Sequence, residues 1–206
     1  MASAPFPEDA PMSAVIVREI ASVPSEKWRN GKGVTKTLAM DGTNWRVSIA
    51  EVERDGPYST FEGMTRLSIV LRGNGVVLRA DDLITTLTPL AAAEYDGAIS
   101  WDASLTDGPV TALNVMCKRS VRRSTIRALT GAAIVPAGAS AIVLAVGRAC
   151  HVSALSETAL QRIDANSFAV FRNLEHPVRI IPDTSHGEDR GFGLVPQLVT
   201  VEAATA

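Results

Sequence analysis

Cysteine and histidine are both scarce. Cys117 and Cys150 are the two cysteines among 206 residues. Two cannot build a disulfide framework, so a reduced cytoplasmic setting and two small buried thiols are expected. The three histidines are His151, His176 and His186. None stands at His-x-His spacing or one helical turn from an acid, which removes the common metal-ligand patterns. His186 and Glu188 come close together in DTSHGEDRG, but that stretch reads as a polar surface loop before it reads as a metal site. No Gly-x-Ser-x-Gly elbow is present. The adjacent Asp81 and Asp82 read as a turn rather than as paired catalytic carboxylates. Neither a metal nor a cofactor is expected.

Long apolar runs are missing as well. The longest, such as AIVLAV at residues 141–146, fall far short of the roughly 20 residues that a helix needs to cross a bilayer. The formal net charge is −2, with both signs mixed along the chain. Nucleic acid or an anionic membrane calls for a basic patch, so neither is an expected partner. The opening MASAPFPEDAPM carries three prolines, two acids and no apolar run. Residues 1–13 therefore read as a disordered arm and not as a signal peptide.

Helical spacing is equally hard to find, whereas strand signals are plentiful. VIVREI, NWRVSIAEV, RLSIVLRG, GVVLRA, TALNVMCKR, ASAIVLAV, ACHVSAL, FAVFRN and VRIIPD are short and rich in Val and Ile. Gly, Pro, Asp and Asn punctuate them, as at Asp55-Gly56-Pro57, Gly73-Asn74-Gly75 and Asp107-Gly108-Pro109. The fold class is all-β, a sandwich or barrel. An internal repeat supports two units. Val143 follows Val70 by 73 residues, Leu160 follows Leu87 by the same 73, and Phe168 then aligns with Tyr95. The join between units falls near SVRRSTIRALTG, residues 120–131.

The stretch WRNGKGVTKTLA, residues 28–39, holds a Gly-Lys-Gly. It lacks the spacing of a phosphate loop, and the alternating VTKTLA after it offers no helix N-terminus to hold a phosphate. It reads as a tight turn between strands. Three strands carry polar residues at period two. Arg46 and Ser48 share one face of the first, Arg66 and Ser68 of the second, and Asn114 and Met116 of the third. Two guanidiniums with hydroxyl and amide groups fit a small anion. The same pattern would also suit the wet outside of a sheet. Tyr58 and Phe61 lie in the Gly/Pro-punctuated loop between these strands, where an aromatic either rims a site or plugs a barrel end.

Taken in order, these stretches resemble the HutD/Ves family of bacterial cupin-like proteins. The stretches are W-R-N-G-x-G-x-T from Trp28, W-R-x-S-I-A from Trp45, D-G-P-Y-S-x-F-x-G from Asp55, R-x-S-x-V-L-x-G-x-G from Arg66, Tyr95-Asp96-Gly97 and D-G-P-V-x-x-L-N-V-M from Asp107. The resemblance is close over residues 14–120 and looser beyond. It implies a double cupin, two tandem β-barrel or jelly-roll units at residues 14–120 and 121–202. It also implies a cytoplasmic protein linked to histidine utilisation that binds a small anionic metabolite, of the urocanate or formyl- or formimino-glutamate type, and modulates the pathway. The pocket positions it suggests are Trp28, Asn30, Arg46, Ser48, Tyr58, Ser59, Phe61, Arg66 and Asn114.

The family's glycine triplet is interrupted here by Lys32, and its arginine after Thr35 is Lys36. Both changes are expected to place positive charge near the pocket. The metal-binding cupin pattern of His-x-His with a following Glu is absent from both halves. Sheet edges of such barrels are candidates for pairing two copies into a homodimer. A binding protein is favoured over an enzyme acting on a histidine-degradation intermediate. For the enzyme, Tyr58, Glu51 or Glu62 would have to serve as general acid or base. A scaffold that binds no small ligand is the third reading.

Overall fold

Period-two alternation translates directly into strands. The computed structural model describes residues 15–89, 91–155, 159–183 and 195–204. The expected arm at residues 1–13 and the pair His186 and Glu188 lie outside these. Among the described residues the first half runs through β1 (Val17–Glu19), β2 (Glu26–Lys27), β3 (Gly33–Asp41), β4 (Trp45–Val52), β5 (Gly56–Pro57), β6 (Met64–Arg72), β7 (Val76–Ala80), β8 (Leu83–Leu87), β9 (Ala93–Asp96), β10 (Asp102–Leu105) and β11 (Val110–Lys118). The second half holds β12 (Arg122–Ala128), β13 (Ala133–Val135), β14 (Ser140–Ala145), β15 (Cys150–Ala154), β16 (Gln161–Ile163), β17 (Ser167–Phe171), β18 (Val178–Pro182) and β19 (Gln197–Ala203). The segment expected to join two units is thus largely a strand, β12. Its side chains alternate between half-buried and exposed, a weaker apolar signal than in the central strands.

Four sheets form. In the first half a six-stranded sheet, β2-β3-β4-β11-β6-β9, faces a four-stranded one, β5-β10-β7-β8. In the second half β1-β17-β14-β19-β12 faces β13-β18-β15-β16. The halves repeat one plan, since β4-β11-β6-β9 corresponds to β12-β19-β14-β17 and β5-β10-β7-β8 to β13-β18-β15-β16. The 73-residue offset holds for Val70 and Val143, each buried inside its own half. It slips elsewhere. Tyr95 points into the interior of the first half, whereas Phe168 points into the core between halves. Leu87 is buried and Leu160 is exposed. One strand crosses over, because β1 pairs with β17 through Val17↔Ala169.

The two large sheets stack back to back. Val47, Ile49, Leu67, Ile69, Leu113 and Val115 from one side meet Ile142, Leu144, Phe168, Val199 and Val201 from the other. Both faces of the central strands are therefore buried, which explains their near-continuous apolar character. Inside the second half, Val135, Val143, Val152, Ile163, Ile180 and Leu198 fill the space between sheets. Cys150 belongs to that core, and burial pushes its thiol up to about 12. Cys117 is likewise buried and free. Inside the first half, Val70, Leu78, Leu87, Trp101 and Val110 pack one end only.

Leu144 is fully buried in the shared core. Leu144→Ala is expected to cost about 2–5 kcal/mol of stability, as leucine truncations in packed cores do. Because the core belongs to both halves, calorimetry should show one cooperative transition moved to lower temperature, with no separately melting half.

Candidate functional site

The unpacked end of the first half is a cavity of about 610 Å³. Its floor follows from strand register. On β4, β11 and β6, Ser48 pairs with Asn114 and Asn114 with Ser68, giving one polar row across three strands. The next row facing the same way is Arg46, Met116, Arg66 and, on β9, Tyr95. Neighbouring strands lie about 4.8 Å apart, so Arg46 and Arg66 start roughly 10 Å from each other at the backbone and converge through long side chains.

This face is not the wet outside of a sheet. Ser48 is 2% exposed, Arg66 7%, Ser68 0% and Asn114 6%. The cavity is lined by Trp28, Asn30, Arg46, Ser48, Tyr58, Ser59, Phe61, Arg66 and Asn114, which are the nine residues expected from the sequence. Glu26, Lys27, Arg29, Thr35, Ala50, Pro57 and Met116 also line it. Ala50 and Met116 continue the polar faces already read from the strands. Glu26, Lys27 and Arg29 surround Trp28 in a segment whose two-residue strand leaves too short a pattern to read.

Arg66 is a buried cation without an acid. Its Cζ lies 5.1 Å from the Tyr58 ring, 5.7 Å from that of Phe61 and 5.0 Å from that of Tyr95. Its Nη1 donates to the Ser59 carbonyl at 3.5 Å, and its Nε has no partner among the described residues. Arg46 sits over the other side of the cage, with Cζ 5.4 Å from the Phe61 ring and Nη2 3.9 Å from Met116 Sδ. Burial, and next the neighbouring Arg66 charge, pull the Arg46 pKa down, while Glu26 pulls it back up. The salt bridges among the described residues join Arg119 to Asp96 and Arg162 to Asp164 and Asp183, and leave Arg46 and Arg66 out. Cation–π contacts of this kind offset part of the desolvation cost of a guanidinium but do not neutralise it.

The rest of the wall is held by local chemistry. Trp28 Nε1 donates to Thr35 Oγ1 at 2.7 Å, and its ring meets Tyr58 edge-on at 6.0 Å between centroids. Asn30 donates to the Pro57 carbonyl at 3.3 Å and accepts from the Lys32 amide at 3.0 Å. The Gly-Lys-Gly is a turn, as expected. Gly31 takes a φ of +67°, and a Cβ on Gly33 would collide with the Glu51 carbonyl. Lys32 between them has no such need, and its stem lies over Gly56. Lys32 and Lys36, expected to place charge near the pocket, do not line the cavity, although the Lys32 amide donates to Asn30, which does. Lys36 Nζ instead lies 3.5 Å from the Ile20 carbonyl. Neither Glu51 nor Glu62 lines it, while Tyr58 does. Burial, reinforced by Tyr95, pushes the Tyr58 phenol well above its ordinary value, so it stays protonated. Among the described residues no group of three or more His, Cys, Asp and Glu could hold a metal ion.

Among the described residues the second half does not repeat this polar row on its matching strand. Ala139 and Ala141 stand 73 residues after Arg66 and Ser68, and both are buried in that half's apolar core.

Comparison with known proteins gives the following. The family model described as HutD matches residues 20–183. A 21.2 kDa protein in the hutC 3′ region of Pseudomonas putida is 29% identical over 140 residues, 65% of this chain and 74% of that one. Protein Ves of Citrobacter koseri is 30% identical over 116 residues, 53% of this chain and 61% of its own length. The structure of HutD from Pseudomonas fluorescens SBW25 superposes with a TM-score of 0.73 at 18% identity, covering 93% of this chain and 100% of that one. A cupin 2 conserved barrel domain protein from Leptotrichia buccalis gives 0.55 at 12% identity, covering 94% and 98%.

Two outcomes follow from the buried groups. Arg66→Met removes an uncompensated buried charge, so the ligand-free protein should keep or raise its melting temperature. A loss above about 3 kcal/mol would show that Arg66 holds the fold and not a site. The second concerns pH. The folded chain holds the Tyr58 phenol protonated, whereas in the unfolded chain it ionises near 10. Stability from this group is therefore full below about pH 10 and declines above it. In a Tyr95→Phe background, phenolate absorbance should appear together with unfolding and not before it.

Proposed function

The chain belongs to the HutD family, and on that premise we propose that it binds a small carboxylate in the cavity of its first half and, when liganded, modulates histidine utilisation. The observation that carries this reading is the pair Arg46 and Arg66. Two guanidiniums converge on one cavity without a salt-bridge partner among the described residues, and one of them is 7% exposed. A carboxylate is the natural complement, because each of its oxygens accepts from a guanidinium fork. Asn114 and Ser48 beside the arginines add neutral hydrogen-bonding groups. A urocanate or a formyl- or formimino-glutamate fits the charge, and the cavity is within the size range of small-molecule sites. The position of the P. putida relative, beside hutC, supports the pathway.

The repeated strand plan and the likeness to cupins support a double-cupin architecture in which the first unit binds and the second is a solid support. A cytoplasmic location and a homodimer belong to the same reading. Binding is favoured over turnover. Of the acid–base groups considered, Tyr58 alone reaches the cavity, and a phenol held protonated is a poor base.

The test is a thermal-shift panel of urocanate, formyl-glutamate, formimino-glutamate, glutamate, histidine and formate, with and without divalent metal. A true ligand at a hundredfold excess over Kd should stabilise the fold by roughly 2.7 kcal/mol. The shift should come from a carboxylate, be independent of metal, and vanish in Arg46→Ala while that variant still melts cooperatively. Unchanged affinity in Arg46→Ala, or chemical conversion of the acid by pure protein, would overturn the reading.

A further inference from the structure

We infer that Tyr95 and Ser68 are positioning residues that hold the Asn114 carboxamide with its N–H end toward the cavity. The site thereby selects a carboxylate oxygen over the carboxamide of the same shape. The inference rests on the binding reading above.

The argument is a count of protons. Ser68 Oγ lies 2.6 Å from Asn114 Oδ1 and 3.0 Å from the Tyr95 hydroxyl. The three residues are 0%, 6% and 5% exposed. An amide oxygen only accepts, so Ser68 spends its single proton on Asn114. Ser68 must then accept from Tyr95, and the chain runs in one sense, from Tyr95 to Ser68 to Asn114. Turning the amide over would reverse it. Asn114 would donate to Ser68, Ser68 would donate to Tyr95, and the Tyr95 proton would have no acceptor, because its hydroxyl bonds only Ser68 among the described residues. A buried donor without an acceptor disfavours that state by roughly tenfold or more. Neither Ser68 nor Tyr95 lines the cavity, whereas Asn114 does.

The outcome is that Asn114, Arg46 and Arg66 present only donors to the cavity, with the Ser48 hydroxyl in the same row as Asn114 free to donate or accept. Asn114 Nδ2 has no protein partner among the described residues, and the row beside it carries Arg46 and Arg66. A carboxylate meets these donors with two acceptor oxygens. A carboxamide brings its own N–H groups against them and leaves donors facing donors. The selectivity thus belongs partly to two side chains that never touch the ligand.

Formate and formamide are the smallest such pair, and their binding to the full chain can be followed by NMR titration. The wild type should bind formate at least tenfold more tightly than formamide. Ser68→Ala frees the amide and should lower that ratio about fivefold or more. Tyr95→Phe removes only the first donor and should lower it less, with a cooperative melt retained in both variants. If the wild type prefers formate and Tyr95→Phe and Ser68→Ala both keep the full ratio, the positioning role is wrong and the binding reading stands. If the wild type takes up neither probe, the binding reading fails and this inference falls with it.

Discussion

The guanidinium of Arg66 is buried without a carboxylate partner among the described residues, and much of the first half can be understood as the means of keeping it there. Three aromatic rings at 5.0 to 5.7 Å surround it. They come from the loop after β5, which gives Tyr58 and Phe61, and from β9, which gives Tyr95. Backbone bonds pin both. The Tyr58 amide donates to the Trp101 carbonyl at 2.8 Å and the Phe61 amide to Gly97 at 2.6 Å. The cage holds the charge in place while leaving Nε unpaired. Arg46 is close enough to feel it, since the Arg66 charge helps lower its pKa. The two guanidiniums therefore repel each other across the cavity, and on the proposed reading a carboxylate would relieve that repulsion through the arrangement as a whole rather than through one contact.

That arrangement needs a rigid wall, and the back-to-back packing supplies it. The floor residues sit on β4, β6 and β11, whose opposite faces are sealed against the second half by Leu113, Val115, Leu144 and Val199. A sheet buried on both faces cannot shift register without exposing an entire row. The second half contributes bulk. Where the first has Arg66 and Ser68 it has Ala139 and Ala141, which pack with Val135, Ile163, Ile180 and Leu198 in an apolar core. One strand plan thus carries a polar cavity floor in the first half and an apolar core in the second, and the difference lies in a handful of inward-facing residues.

Much of this was legible because strands obey a period of two. Arg46 with Ser48, and Arg66 with Ser68, had to share faces wherever their strands lay, and the turn glycines marked where each strand ended. Pattern alone could not say which sheet surface met water, since a polar row looks the same on a wet face and on a cavity floor. Only the burial of Ser68 and Asn114 decides it. The rim residues Glu26, Lys27 and Arg29 were hidden by a strand of two residues. The relay from Tyr95 was hidden because β9 reaches Ser68 only through long-range pairing. Lys32 and Lys36 stay off the cavity wall for a local reason. Their charges were visible in sequence, but the close approach of Lys32 to Gly56 and the direction of Lys36 were not.

Glu26 sharpens the electrostatic argument. It is the one acidic side chain among the lining residues, and it acts on Arg46. If it neutralised the arginines, the cavity would have no call for an anion. It does not, because its pull on Arg46 ranks behind both burial and the Arg66 charge, and it forms no salt bridge with either arginine. Glu26 is also exposed, so water screens it, whereas Arg66 is enclosed where screening is weak. A carboxylate that enters between the guanidiniums gains the less-screened interaction that Glu26 at the rim cannot make. The charge that the fold leaves unmatched is therefore at the floor of the cavity, and the depth of that charge is what separates this site from an ordinary basic surface.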